Sequence, residues 1–199
     1  MENYTVTISR QFGSLGRPIG MKLAELLGIE FYDRDIIEEA ARQMDLPLAE
    51  ASNLEERERT GLLYMRYPLG KSNIEVKERL YEVENSIIRN WASRKSCVIV
   101  GRCSDYILRN EKNHINFFIY APYDQRVKNC IEDLGFKKED AMRMIDEVDK
   151  ARNRYHKRYT HFKQEDLELN QVMIDSSVLG VDGTAEIMAD FVRKKFHIN

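Results

Sequence analysis

Five consecutive residues carry the chemistry most readily read from this chain: Gly13, Ser14, Leu15, Gly16 and Arg17. They follow a β-branched run, Tyr4–Ser9, and precede a stretch with apolar residues at Ile19, Leu23, Leu26 and Leu27, the spacing of an amphipathic helix. Glycine lets a backbone take positive φ and approach a ligand closely. The amides of such a loop, with the unbonded N–H groups of the next helix, can converge on one anion. Arg17 adds a fixed positive charge. The arrangement suits phosphate binding; the plainer alternative is a strand-to-helix turn that uses glycine only to bend.

The strict nucleotide-binding signature is G-x-x-x-x-G-K-[ST]. Anchored on Gly16, it finds Gln11 in place of the first glycine, Arg17 in place of lysine and Pro18 in place of the hydroxyl residue. An arginine can still clamp phosphate with a bidentate fork. A proline ligates no metal, although it suits the first turn of a helix.

Two other places hold reactive types together. Asp33, Arg34 and Asp35 follow a short strand, Ile29–Tyr32, at the edge where open α/β sheets bind ligands. Asp33 also reads as the N-cap of a helix over about 34–44. From Lys150 to Gln164 the chain is basic without an acid: Lys150, Arg152, Arg154, Lys157, Arg158 and Lys163, interleaved with Tyr155 and Tyr159. A solvated face is the ordinary reason for such a run; a groove lined for several phosphates is the other. His156 and His161 lack cysteine companions, which argues against zinc. Cys97, Cys103 and Cys130 have no metal-ligand spacing and read as reduced, mostly buried cytosolic thiols.

These residues need positioning elements. The pattern predicts strands at 4–9, 29–32, 97–100, 114–120 and 169–175. Helices fall between them: 17–27, 34–44, a short acidic one after Pro47, 73–94, 105–109, 123–134, 138–158 and 183–196. Ser72-Asn73-Ile74-Glu75 forms a capping box, and Val76, Leu80, Val83, Ile87 and Trp91 make a core stripe. Residues 61–70, GLLYMRYPLG, read as a lid or substrate-side flap. Strands alternating with helices pair in parallel. The fold class expected is α/β: a three-layer sandwich around a five-stranded parallel sheet, with the glycine loop at its C-terminal edge.

At 199 residues the chain reads as one domain. A net charge of −2 gives no global case for nucleic acid and argues against a nucleic-acid role for the basic run. There is no signal-peptide pattern and no apolar run long enough to span a membrane, so a cytoplasmic protein is expected.

Taken together, ISRQFGSLGRPIG at 8–20, GIEFYDRDII at 28–37, VIVGRCSDYIL at 98–108 and RNRYHKRY at 152–159 resemble the cytidylate-kinase-like family of P-loop proteins. The resemblance implies the nucleoside monophosphate kinase fold over 1–199, with a helical acceptor-side insert at about 34–95 and an arginine-rich lid at about 138–164. It implies Gly13, Ser14, Leu15, Gly16 and Arg17 at the phosphates of ATP. It places Asp33, Arg34, Arg102 and Asp105 on the acceptor side, and Arg17, Arg152, Arg154 and Arg158 as the charges that stabilise the transferring phosphoryl group. The implied substrates are small nucleotides, with CMP, dCMP or another small phosphate acceptor, and Mg²⁺ as companion ion.

In-line attack of one phosphate on another needs no protein nucleophile. The kinases of this family have lysine at Arg17, a hydroxyl at Pro18 and Asp-Gly-Arg-Asp where this chain reads Val100-Gly101-Arg102-Cys103. Asp33 or Asp105 could hold Mg²⁺ through water, but the spacing names no ligand. The alternative function is a nucleotide-binding regulatory module of the same fold that has lost catalysis. The oligomeric state has no signature in the sequence.

Overall fold

The strand that leads into the glycine loop is the middle of the sheet. In the computed structural model, which describes residues 3–56 and 73–198, β1 (Thr5–Arg10) pairs with β3 (Cys97–Val100) on one side and β4 (His114–Tyr120) on the other. β2 (Glu30–Tyr32) lies outside β3, and β5 (Val172–Asp175) outside β4. The order β2-β3-β1-β4-β5 is parallel throughout. β1 and β3 are neighbours although β2 separates them in sequence, so their following segments diverge and open a crevice at the C-terminal edge.

The alternation of each strand sorts its side chains between two helical layers. Val6, Ile8, Val98, Val100, Ile115, Phe117 and Ile119 face α1 (Gly16–Leu27) and α8 (Gly180–Phe196), where they meet Ile19, Leu23, Met188 and Val192. Cys97 and Ile99 face α2 (Asp35–Gln43), α4 (Asn73–Arg94) and α5 (Ser104–Ile107). α3 (Leu48–Glu56) adds Ala51 to that layer. The second face of β1 is polar and buried: Thr7 Oγ1 lies 2.7 Å from His114 Nε2, and burial pushes His114 down to about 4, so it is neutral. A third cluster joins α6 (Tyr123–Glu132) to α7 (Lys138–Thr160) through Val127, Cys130, Ala141 and Ile145.

The three-layer parallel architecture matches the expectation. Several boundaries do not. β5 starts at Val172, because residues 166–170 turn on themselves through Asn170 N–H to Asp166 O and Asn170 Nδ2 to Gln164 O. α8 starts at Gly180, where N–H donates to Ser176 O. Asp33 does not cap α2; Arg34 holds the cap position without a side-chain bond. The flap expected at 61–70 lies outside the described residues, as does Ser72 of the capping box. All three cysteines are buried and unbridged. Among the described residues no helix is long and apolar enough to cross a membrane.

Candidate functional site

The loop after β1 is held from several sides. Gln11 N–H donates to Ile119 O at 3.0 Å, and its Oε1 accepts from Ala121 N–H at 3.2 Å. The Ser14 hydroxyl is within reach of Gln11 O and Ile119 O, and Ser176 Oγ donates to Ser14 O. Phe12 packs against the α6–α7 cluster, an anchor the sequence reading did not assign. Gly13 takes φ 78°, and a Cβ there would lie 2.8 Å from Arg126 O; a Cβ at Gly16 would lie 2.7 Å from Arg10 Cβ. Leu15 takes φ 58° as the N-cap of α1. These glycines therefore admit neighbouring protein as well as a bend.

The amides divide into two groups. Phe12 N–H donates to Asp149 Oδ1 of α7 at 2.7 Å, and Ser14 N–H faces Gln11 O at a long 3.5 Å. Among the described residues, no protein acceptor takes the N–H of Gly13, Leu15, Gly16 or Arg17. The last two belong to the first turn of α1, whose donors have no intrahelical partner and whose dipole favours an anion.

Around these donors stand four arginines. Arg10 ends β1, and its side chain passes over Gly16 and Gly101, where a Cβ would collide with it. Its Nη2 lies 3.8 Å from Asp33 Oδ1, and Arg17 Nε donates to Asp33 Oδ2 at 2.7 Å. Arg152 of α7 donates to Arg10 O at 3.2 Å and lies over the Phe12 ring. Arg102 lies in the middle of the turn after β3, with Nη1 at 3.8 Å from Glu84 Oε1 of α4. Burial first, then neighbouring guanidinium charge, lowers Arg152 to about 9. Burial also lowers Arg102 to about 10, with Tyr155 opposing and Arg10 adding to the fall. Arg10 moves down for the same first reason, with Asp33 opposing and Arg17 adding to the fall. Partly desolvated cations that repel one another gain from any anion placed among them.

The structure thus brings together Gly13, Leu15, Gly16, Arg17, Asp33, Arg102 and Arg152. It places the others apart. The Ser14 side chain turns inward. Arg34 is exposed at the start of α2. Asp105 is buried, its Oδ2 at 3.0 Å from His156 Nε2. Arg154 lines a cleft of about 380 Å³ along α7, with Asp149, Lys150, Asn153 and Lys163. Arg158 gives its fork to Glu78 of α4, at 2.7 and 3.2 Å. Arg152 points away from the other two, from which it is two and six residues distant, whereas Arg154 and Arg158, four apart, share a side of the helix and differ in the partners they meet.

The sequence reading missed Arg10, Asp149 and Glu84. Arg10 immediately precedes the loop, a place where a side chain must reach the sheet edge. Glu84 was visible as a carboxylate inside the apolar stripe between Leu80 and Ile87.

Among the described residues, the donor set offers no protein-held Mg²⁺ site. Pro18 has no ligand atom, Asp33 is taken by arginines, and Asp149 by Phe12 N–H and Arg126 Nη1. Among the described residues no group of three His, Cys, Asp or Glu side chains gathers.

A parallel sheet of this order, with a loop and arginines at its C-terminal edge, defines the P-loop kinase class of α/β folds. The chain belongs to the cytidylate kinase-like family, whose model matches residues 5–178. Among solved structures, a protein from Eubacterium ventriosum described as uncharacterized is 25% identical, with a TM-score of 0.73 over 96% of this chain and 98% of that one. A shikimate kinase from Bacteroides thetaiotaomicron is 11% identical, with a TM-score of 0.55 over 98% and 99%. A gluconokinase from Sinorhizobium meliloti is 13% identical, with a TM-score of 0.54 over 98% and 96%. The latter two likenesses are of fold. A search of curated proteins finds no match.

Proposed function

We propose that this protein transfers a phosphoryl group from ATP to a small acceptor that itself carries a phosphate, a nucleoside monophosphate of the CMP or dCMP kind. The observation that carries the reading is the convergence of Arg10, Arg17, Arg102 and Arg152 on a loop with unclaimed amides. In this reading the amides of Gly13, Leu15, Gly16 and Arg17 hold the donor's phosphates. Arg17 leaves Asp33 to meet them, and Arg102 holds the acceptor's phosphate. Arg152, on the lid helix α7, neutralises charge on the group in flight. Such pre-positioned charge is the main catalytic device available to phosphoryl transfer. Mg²⁺ enters the proposal as a companion of the nucleotide, and no step is assigned to it.

A panel of CMP, dCMP, UMP and other phosphate acceptors, assayed by ADP release, tests the reading. Diphosphate product that disappears in Arg17→Ala supports it. A folded protein without turnover on any acceptor overturns it.

One observation favours a second reading, a regulatory nucleotide-binding module: Arg17 and Phe12 N–H both rest on protein carboxylates. That reading predicts a thermal shift with ATP that hardly depends on Mg²⁺, with no product. Strong Mg²⁺ dependence of binding counts against it.

A further inference from the structure

Glu84 has a side-chain exposure of 0% and sits in the middle of α4. Its Oε2 accepts the Tyr155 hydroxyl of α7 at 2.7 Å. Its Oε1 is buried and accepts no hydrogen bond among the described residues. Arg102 Nη1 lies 3.8 Å from it, outside hydrogen-bond range although the charges face each other. Arg102 belongs to a turn with three successive positive φ values: Gly101 81°, Arg102 59° and Cys103 53°. Side-chain-bearing residues hold that conformation only where their surroundings impose it. The strained turn directs the Arg102 side chain toward α4, where its guanidinium stands 3.8 Å from a buried carboxyl oxygen.

We propose that Glu84 is the counter-ion Arg102 gives up when an acceptor phosphate arrives. It is then a specificity-determining residue that admits an acceptor bringing its own negative charge to the turn after β3. The proposal rests on the acceptor reading of Arg102 given above. The exchange is one of charges: the acceptor phosphate takes over the guanidinium, and the Glu84 carboxylate, now beside a second anion, binds one proton from solvent. Tyr155 keeps the other oxygen satisfied and links the event to α7.

The groups facing Glu84 are Arg102 and Cys103 from the turn and Tyr155 and Tyr159 from α7; the α2 residues packed in the same cluster, Ile36, Ile37, Ala40 and Ala41, are apolar. Burial raises the Glu84 carboxyl to about 7, with the Tyr155 bond opposing. The free protein therefore holds it ionised above that pH and neutral below. An arriving anion raises it further. Acceptor binding then takes up a proton at neutral and alkaline pH, and affinity falls as pH rises through the free value.

The test is calorimetric titration of CMP into the whole protein between about pH 6 and about pH 8.5, in buffers of different ionisation enthalpy. The CMP phosphate titrates near pH 6 on its own account, so native protein is compared with Glu84→Gln. The native protein should lose up to about tenfold in CMP affinity, relative to Glu84→Gln, between the acid and alkaline ends. Its proton uptake should be absent in the variant. Tyr155→Phe, which removes only a hydroxyl, should shift the native profile to higher pH, and it decides the matter if Glu84→Gln does not fold. Identical pH profiles for native and both variants overturn the proposal while leaving the kinase reading intact. CMP binding with the expected profile but without turnover keeps the proposal and removes the kinase reading. Failure of the native protein to bind CMP or inorganic phosphate removes both.

Discussion

Two adjacent turns leave the same edge of the sheet and solve opposite problems. The loop after β1 presents backbone donors, and the carboxylates near it, Asp33 and Asp149, retain 12% and 23% side-chain exposure. The turn after β3 presents one guanidinium and sets it against a carboxyl with none. Both turns hold a glycine and at least one side-chain-bearing residue at positive φ, so backbone shape does not separate them. What separates them is where charge is compensated: near solvent on the first, deep within the helical layer on the second. Carboxylates near water yield to a ligand at small cost. A buried carboxyl yields by changing protonation state.

The largest expected break in this comparison comes at Arg152, the residue that reaches the first turn from α7. Arg152→Ala should lower kcat about 10²–10³-fold, the usual loss on removing one charge-stabilising donor. Arg158→Ala, whose fork is held by Glu78, should lose less. Equal losses would erase the distinction between the two faces of α7.

Gly13 sharpens the comparison next. Gly13→Ala meets Arg126 O at 2.8 Å and must hold φ 78°, whereas Gly28→Ala meets nothing within 4 Å at φ 62°. Denaturant unfolding should show Gly13→Ala losing more than the ~1–2 kcal/mol expected from left-handed strain alone. A loss no larger than at Gly28 would mean the loop has slack.

Asp149→Asn removes a charge that rests on the Phe12 amide and on Arg126. ATP should bind it severalfold more tightly, because one carboxylate no longer competes beside the loop; weaker binding would make Asp149 a support rather than a competitor. The smallest effect is at the far end of α7. For His156, burial opposes the charged form, but the Asp105 bond and charge outweigh it and raise its pKa. A raised value stabilises the fold fully below the unfolded value, about 6.5, and the gain is lost as pH rises through the folded value. The Tm gap between native protein and His156→Gln should narrow as pH rises. A constant gap would contradict a charged pair.

Much of this was legible in the sequence, and unequally so. The strand, loop and helix of residues 5–27 announce themselves through period, glycine and arginine. Those signals are local, and the parallel sheet follows from alternation. The turn after β3 was legible only as Gly101-Arg102, because Glu84 comes from α4 and its tie to α7 comes from Tyr155, 71 residues further on. No local pattern joins such residues. The same holds for Asp149 on the Phe12 amide, 137 residues away. Along α7, composition gave a basic run, but the folded contacts alone assign Arg152 to the Arg10 carbonyl, Arg154 to the cleft beside Asp149 and Arg158 to Glu78.

The central claim is that the loop after β1 receives phosphate through amides the protein leaves unused. ATP titrated into ¹⁵N-labelled protein, followed by amide chemical shifts, addresses it directly. The account predicts large, saturable shifts at Gly13, Leu15, Gly16 and Arg17, lost in Arg17→Ala. Saturable binding that leaves those four amides unmoved, or no binding at all, would contradict it.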